Sequence, residues 1–245
     1  MPDRTIPRAL GALLLPCWLI ASGASAASLQ VAPVLLEVAA PGAATTLTLR
    51  NKGAKPITTQ VRVFRWVQDS GRERLEPTED VVASPPAAEL RPAQDYVIRV
   101  VRVTTKAVEG EEPYRLFIDE LPEPSQQQRT VNFIVRHAIP LLFGAPDTSA
   151  PDVKWRVTQS GRTISLSAAN RGDRRVRLAS VKISGGAGKS VSFGQGLLGY
   201  ALGRSTMSWT APASRPAFRP GAKVTVTGQA EEGPFDAQTV VQSAP

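Results

Sequence analysis

Thr130-Val131-Asn132-Phe133-Ile134-Val135-Arg136-His137-Ala138-Ile139-Pro140-Leu141-Leu142-Phe143 is the longest extended run in the chain, and Gly144-Ala145-Pro146 closes it. Val131, Phe133 and Val135 fall on one face of a strand and Asn132, Ile134 and Arg136 on the other, since side chains alternate along extended backbone. Upstream the same period of two recurs. Tyr114 to Leu121 reads as a strand stopped by Pro122-Glu123-Pro124. In Tyr96 to Thr104, Tyr96, Ile98, Val100 and Arg102 share one face, while Val97, Arg99, Val101 and Val103 share the other. Val81-Val82 precede Ser84-Pro85-Pro86, and Leu90-Arg91-Pro92 forms a turn. Ile57 to Val67 sets Val61, Val63 and Val67 against Arg62, Phe64 and Trp66, and residues 68–79 read as a polar loop. Leu47 and Leu49 alternate with polar neighbours before the turn Asn51-Lys52-Gly53, and Leu29, Val31, Val34, Leu36 and Val38 read as one extended segment ending at Pro41-Gly42. Short alternating strands bounded by Gly, Pro and Asn, with no long amphipathic helix, describe a β-sandwich.

Downstream, Asp147-Thr148-Ser149-Ala150-Pro151 is small and polar and reads as a linker. Beyond it, Val153 to Val157, Thr163 to Ala169, Val176 to Ile183, Ser190 to Phe193, Thr206 to Trp209, Lys223 to Gly228 and Gln238 to Val241 form a second set of strands. The expected division is 27–146 for a first β-sandwich domain, 147–151 for the linker and 152–245 for a second one. No repeat unit of solenoid or propeller length is visible.

With 42% hydrophobic residues and 20% charged, the 245-residue chain can build ordinary cores rather than remain disordered. Residues 1–26 read as a secretory signal peptide: Arg4 and Arg8 begin it, an apolar stretch follows from Ala9 to Ile20, and Ala24-Ser25-Ala26 ends it. Cys17 lies inside the apolar stretch behind Pro16, which argues against lipidation. Cleavage after Ala26 removes the single cysteine, so the exported chain holds its fold by packing alone. The net charge of +8 admits an anionic surface or an acidic partner, and export argues against nucleic acid.

Asn51-Lys52-Gly53, Ser84-Pro85-Pro86 with Leu90-Arg91-Pro92, Tyr114-Arg115-Leu116-Phe117-Ile118-Asp119-Glu120-Leu121-Pro122 and Ile139-Pro140-Leu141-Leu142-Phe143 come in an order and spacing that carry a family likeness. The chain resembles the PapD-like periplasmic chaperones of the chaperone–usher pathway of pilus assembly. The resemblance covers the first domain; the second agrees in size and strand number. It implies an all-β fold of two immunoglobulin-like β-sandwich domains in an L shape. It also implies a periplasmic chaperone that stabilises pilin-like subunits by donor-strand complementation and delivers them to an outer-membrane usher, with self-association possible when free. The well-known members grip a subunit carboxylate with two basic residues. Here Pro33 and Pro140 occupy the corresponding positions, a departure that looks like the archaic branch of the family.

The resemblance makes Val131, Phe133 and Val135 the donor residues, each contributing about 1.5–3 kcal/mol when buried. On the residues alone, the same three side chains would serve this protein's own core equally well. Guanidinium forks suit a carboxylate, and Arg99 and Arg115 are the candidate anchors, with Arg102 and Arg136 behind them. His137 is the only histidine, too few for a His-based metal site, and Asp119 and Glu120 point to opposite faces of a strand. No P-loop or dinucleotide fingerprint is present. The reading is therefore of a non-enzyme with no cofactor and no metal. The basic stretch Asn170-Arg171-Gly172-Asp173-Arg174-Arg175-Val176-Arg177 reads as a turn with its arginines outward. The rival reading is a structural two-domain adhesin or pilus fibre component, disfavoured because the first strand begins almost at the cleavage site.

Overall fold

Proline and alternation together decide where the first strand goes. In the computed structural model, which describes residues 29–121, 135–213 and 218–243, the segment read as one strand is two. β1 (Leu29–Ala32) pairs antiparallel with β3 (Ala44–Asn51), whereas β2 (Leu36–Ala39) pairs parallel with β10 (Arg136–Gly144) in the facing sheet. Pro33 stands at the changeover, where its missing N–H leaves no ladder donor stranded. The first sheet runs β1-β3-β8-β6, with β6 Val81–Ser84 and β8 Asp95–Arg102. The second runs β2-β10-β9-β4-β5, with β4 Ile57–Asp69, β5 Arg72–Pro77 and β9 Glu111–Leu121, and β7 (Ala87–Leu90) also pairs with β4.

Residues 68–79 are thus not a loop. Ser70 and Gly71 both have positive φ, 53° and 79°, and make a two-residue turn joining β4 to β5 with Asp69 opposite Arg72. Positive φ at both central positions matches the twist of the flanking strands, which is why short hairpins use it.

Between the two sheets lies a core of Leu47, Leu49, Ile98 and Val100 from one side and Val61, Leu116, Ile118, Leu141 and Phe143 from the other. A second sandwich, from 153 to 243, has its own core around Val157, Leu166, Val181, Ile183 and Val226. Its strands are β11 Val153–Ser160, β12 Thr163–Asn170, β13 Val176–Gly185, β14 Ser190–Ser192, β15 Leu197–Ala201, β16 Ser205–Pro212, β17 Lys223–Ala230 and β18 Gly233–Ser243. β18 pairs antiparallel with β17 as far as Val240, then parallel with β11 from Val241, so one strand links both layers. The architecture is the expected pair of β-sandwiches.

Both sandwiches use one device at the end of an early strand. Asn51, buried, donates from Nδ2 to the carbonyls of Lys55 (2.7 Å) and Leu90 (3.0 Å) and accepts from Gly53 N–H. Asn170 does the same to Arg174 (2.7 Å) and Ala201 (3.2 Å), with Gly172 N–H donating to its Oδ1. A buried amide with its donors and one acceptor satisfied fixes a turn that backbone pairing alone leaves open.

Candidate functional site

β10 is paired unequally along its length. Its whole span from Arg136 to Gly144 pairs with β9, while β2 covers the other edge only from Leu141 to Gly144. Among the described residues no strand pairs with that second edge over Arg136–Pro140. An edge with unpaired N–H and C=O groups is a template for another strand, and Pro140 at its inner end is the residue sheets confine to edges.

The closed half is locked by packing. Leu141 and Phe143 are fully buried, and Phe143 meets Tyr114 edge-on at 5.9 Å. The Tyr114 hydroxyl donates to Glu112 Oε2 (3.2 Å) and accepts from Arg65 Nη1 (3.3 Å). Burial, reinforced by the Glu112 charge, pushes this phenol up to about 12, so it stays neutral.

The open half is held from its outward face. Arg136, directly opposite Asp119, donates from Nε to Oδ1 (2.5 Å), and Arg62 donates from Nη2 to Oδ2 (2.6 Å). Burial alone would raise the Asp119 carboxyl, but the hydrogen bonds and charges of these two guanidiniums outweigh it and hold the group below its usual range. Arg136 also lies over the Phe117 ring at 4.8 Å, and Phe117 meets Phe64 at 5.3 Å. On the inward face, His137 stands opposite Ile118, and its Nε2 is buried with no hydrogen-bond partner among the described residues.

Of the expected donor residues, Val131 and Phe133 lie outside the described residues. Val135 immediately precedes β10, half-buried, with its carbonyl accepting from Glu120 N–H at 3.3 Å. The two anchor candidates are far from equivalent. Arg99 sits on the exposed outer face of the first sheet, opposite Thr46 and Ser84, with no ion pair to it among the described residues. Arg115 is in β9 directly opposite Pro140, on the outward face of the sheet that contains the open edge. Its guanidinium stacks on Trp66 at 3.7 Å and lies 5.7 Å from the Tyr200 ring, with 16% of the side chain exposed. Burial lowers its pKa, opposed by Glu73, whose Oε2 is 3.9 Å away. No hydrogen bond to the Arg115 guanidinium is made among the described residues, so the stacking on Trp66 and the nearby Glu73 carboxylate are what orient it. Of the two residues ranked behind them, Arg102 is buried and bidentate to Glu112, and Arg136 is committed to Asp119.

Arg115 belongs to a junction that sequence reasoning missed. Trp66, Tyr200 and Leu202 form a small buried cluster between the two sandwiches, and Gln68 bonds the backbone of both Tyr200 (2.8 Å) and Leu202 (2.9 Å). Trp66 on the polar side of β4, beside Phe64, was the available signal. Nearby, Arg175 does not project outward as its basic neighbourhood suggested. It is buried and bonds Glu37 (2.6 Å), Glu111 (2.7 Å) and Glu231 (2.9 Å), joining the sandwiches. Burial works against its charge, and the three carboxylates more than offset that, holding it protonated. At the linker, Asp173 accepts from the Ser149 hydroxyl (2.7 Å) and N–H and pairs with Arg204 (2.6 Å), which brings its carboxyl down to about 2.

Residues 28–149 match the family model of the pili and flagellar-assembly chaperone, PapD N-terminal domain. No curated protein matches the chain in sequence. Among solved structures, a chain of the CsuC–CsuE chaperone–tip adhesion subunit pre-assembly complex, from archaic Csu pili of Acinetobacter baumannii, is 23% identical with a TM-score of 0.66, covering 89% of this chain and 100% of that one. The YadV chaperone is 17% identical at TM-score 0.61, covering 87% and 100%. A chain of the Salmonella enterica SafA pilin–SafB chaperone complex is 18% identical at TM-score 0.59, covering 86% and 96%. These likenesses extend the shared fold across both sandwiches. With its first sandwich matched by the family model and the whole chain by that fold, the protein belongs to the PapD-like family of pili and flagellar-assembly chaperones.

Proposed function

We propose that this protein holds pilin-like subunits in the periplasm by lending them the segment that leads into β10, and passes them to an outer-membrane usher. The observation that carries this reading is the edge of β10 that no strand among the described residues pairs with over Arg136–Pro140, in line with β2 and next in sequence to Val131, Phe133 and Val135. A subunit strand added there gains backbone hydrogen bonds whatever its sequence, and alternate donor side chains fill its pockets. Release needs no nucleotide, because another strand exchanges for the donor.

Arg115, rather than Arg99, is the carboxylate anchor in this reading. Its place across from Pro140 puts a cation one strand away from where other members carry a basic residue, and its guanidinium makes no hydrogen bond among the described residues. The test is co-expression with a pilin-like subunit from a neighbouring gene, followed by affinity capture. Phe133→Asp with Val135→Asp is expected to abolish recovery of the subunit while leaving the chain's thermal unfolding unchanged. Recovery at the wild-type level by this double variant sinks the donor role. Arg115→Ala is expected to reduce recovery, and Arg99→Ala to leave it unaltered.

A further inference from the structure

We propose that His137 sets the register of the strand that a bound subunit adds to β10, by hydrogen-bonding through Nε2 to a hydroxyl- or amide-bearing side chain of that strand. This rests on the reading of the open edge as the subunit-binding edge. His137 is the only histidine in the chain, and it lies on the inward face of the open half of β10. Its neighbours in the period-two set are Val135, half-buried, and Ile139, 4% exposed, and the residue across on β9 is the fully buried Ile118. A polar ring is thus placed among apolar side chains, with a buried nitrogen that has no hydrogen-bond partner among the described residues. Buried polar atoms are paired in the great majority of native structures, so an orphan at a vacant edge points to a partner that arrives there.

The geometry supplies that partner's position. On the β9 side the residue opposite is apolar, so only a strand on the open side brings a new side chain beside the imidazole on the same face. Cβ atoms of directly opposed residues on adjacent strands are about 4.5–5.5 Å apart, within reach of Nε2 for Ser, Thr, Asn or Gln. The alternation of an added strand also leaves a degeneracy that apolar contacts resolve poorly. A slip of one residue turns every side chain to the wrong face and is excluded; a slip of two keeps each apolar residue inward. One polar position in an otherwise apolar row breaks that degeneracy, as a single buried amide does in paired helices.

The single histidine gives one imidazole signal, so 15N spectra of the labelled chain, free and in complex with the co-expressed pilin-like subunit, read the bond directly. Complex formation is expected to move the Nε2 resonance to a hydrogen-bonded position. His137→Leu is expected to leave the free chain at least as stable as wild type, yet to release the subunit about tenfold faster, the loss expected for one hydrogen bond. His137→Gln, which keeps an amide near the Nε2 position, should recover most of the difference. An unshifted Nε2 resonance in a complex that the Phe133/Val135 double variant fails to form overturns the inference and leaves the proposed function standing. Equal release rates for wild type and His137→Leu overturn it too. Capture by the double variant is the separate outcome that removes the donor reading.

Discussion

The two halves of β10 share one backbone and one partner, β9, yet they are different objects. From Leu141 to Gly144 the strand is hydrogen-bonded on both edges, and its inward side chains are fully buried beneath the sandwich core. From Arg136 to Pro140 no strand among the described residues pairs with the second edge, and what holds the strand there is its pairing with β9 and an outward tie of Arg136 and Arg62 to Asp119, along with the Phe117 ring. The contrast teaches how a strand stays in place without a neighbour on each side: the closed half is fixed by packing, and polar ties on the solvent side keep the other half extended where no described strand covers its second edge.

That contrast can be broken at three strengths. Phe143→Ala, in the closed half, removes a fully buried ring packed on Tyr114 and is expected to cost about 3–5 kcal/mol of stability in denaturant titration. Asp119→Asn, under the open half, is expected to cost less, about 1–2 kcal/mol, because Arg62 and Arg136 are each roughly half in solvent. It should raise amide exchange at residues 136–139 while leaving 141–143 protected. Since the folded Asp119 pKa is depressed, its contribution is fully present above the unfolded value near 4 and is lost as pH falls through the lower folded one. Wild type should therefore converge with Asp119→Asn in acid, and a constant gap from pH 7 to acid removes this explanation. The smallest effect belongs to Ala138→Ser, exposed in the middle of the open half, expected to stay within about 0.5 kcal/mol. A cost comparable to Phe143→Ala would mean that this half, too, is packed against something.

Much of the architecture was legible, because half-buried strands alternate and this chain alternates almost throughout. What escaped did so for physical reasons. β5 is a mostly exposed outer strand whose residues Arg72-Glu73-Arg74-Leu75-Glu76-Pro77 carry no apolar face, so periodicity had nothing to report there, though Ser70-Gly71 carried the turn. The changeover at Pro33 was invisible because Leu29 to Val38 is apolar in both of its sheets. Arg175 was misread because its carboxylates come from residues distant in sequence, Glu37, Glu111 and Glu231, and charge density alone says solvent. At the site, the donor segment could be named from alternation and likeness. The pairing of Arg115 with Pro140 could not, since register is a property of two strands. The matching Asn51 and Asn170 turns were within reach: each is an Asn-x-Gly at a strand end, a shared signature too short to register as a repeat.

Gly71 has one more consequence. Its carbonyl accepts from Ser208 N–H at 3.1 Å, and a Cβ on it would sit 2.6 Å from the Ser208 hydroxyl oxygen. Here the two lobes of the molecule touch main chain to main chain, with nothing between them but a hydrogen atom. An alanine would act as a shim one methyl thick, tilting one lobe against the other while leaving each lobe's interior untouched. The approach of one lobe to the other is thus set by the smallest side chain in the hairpin.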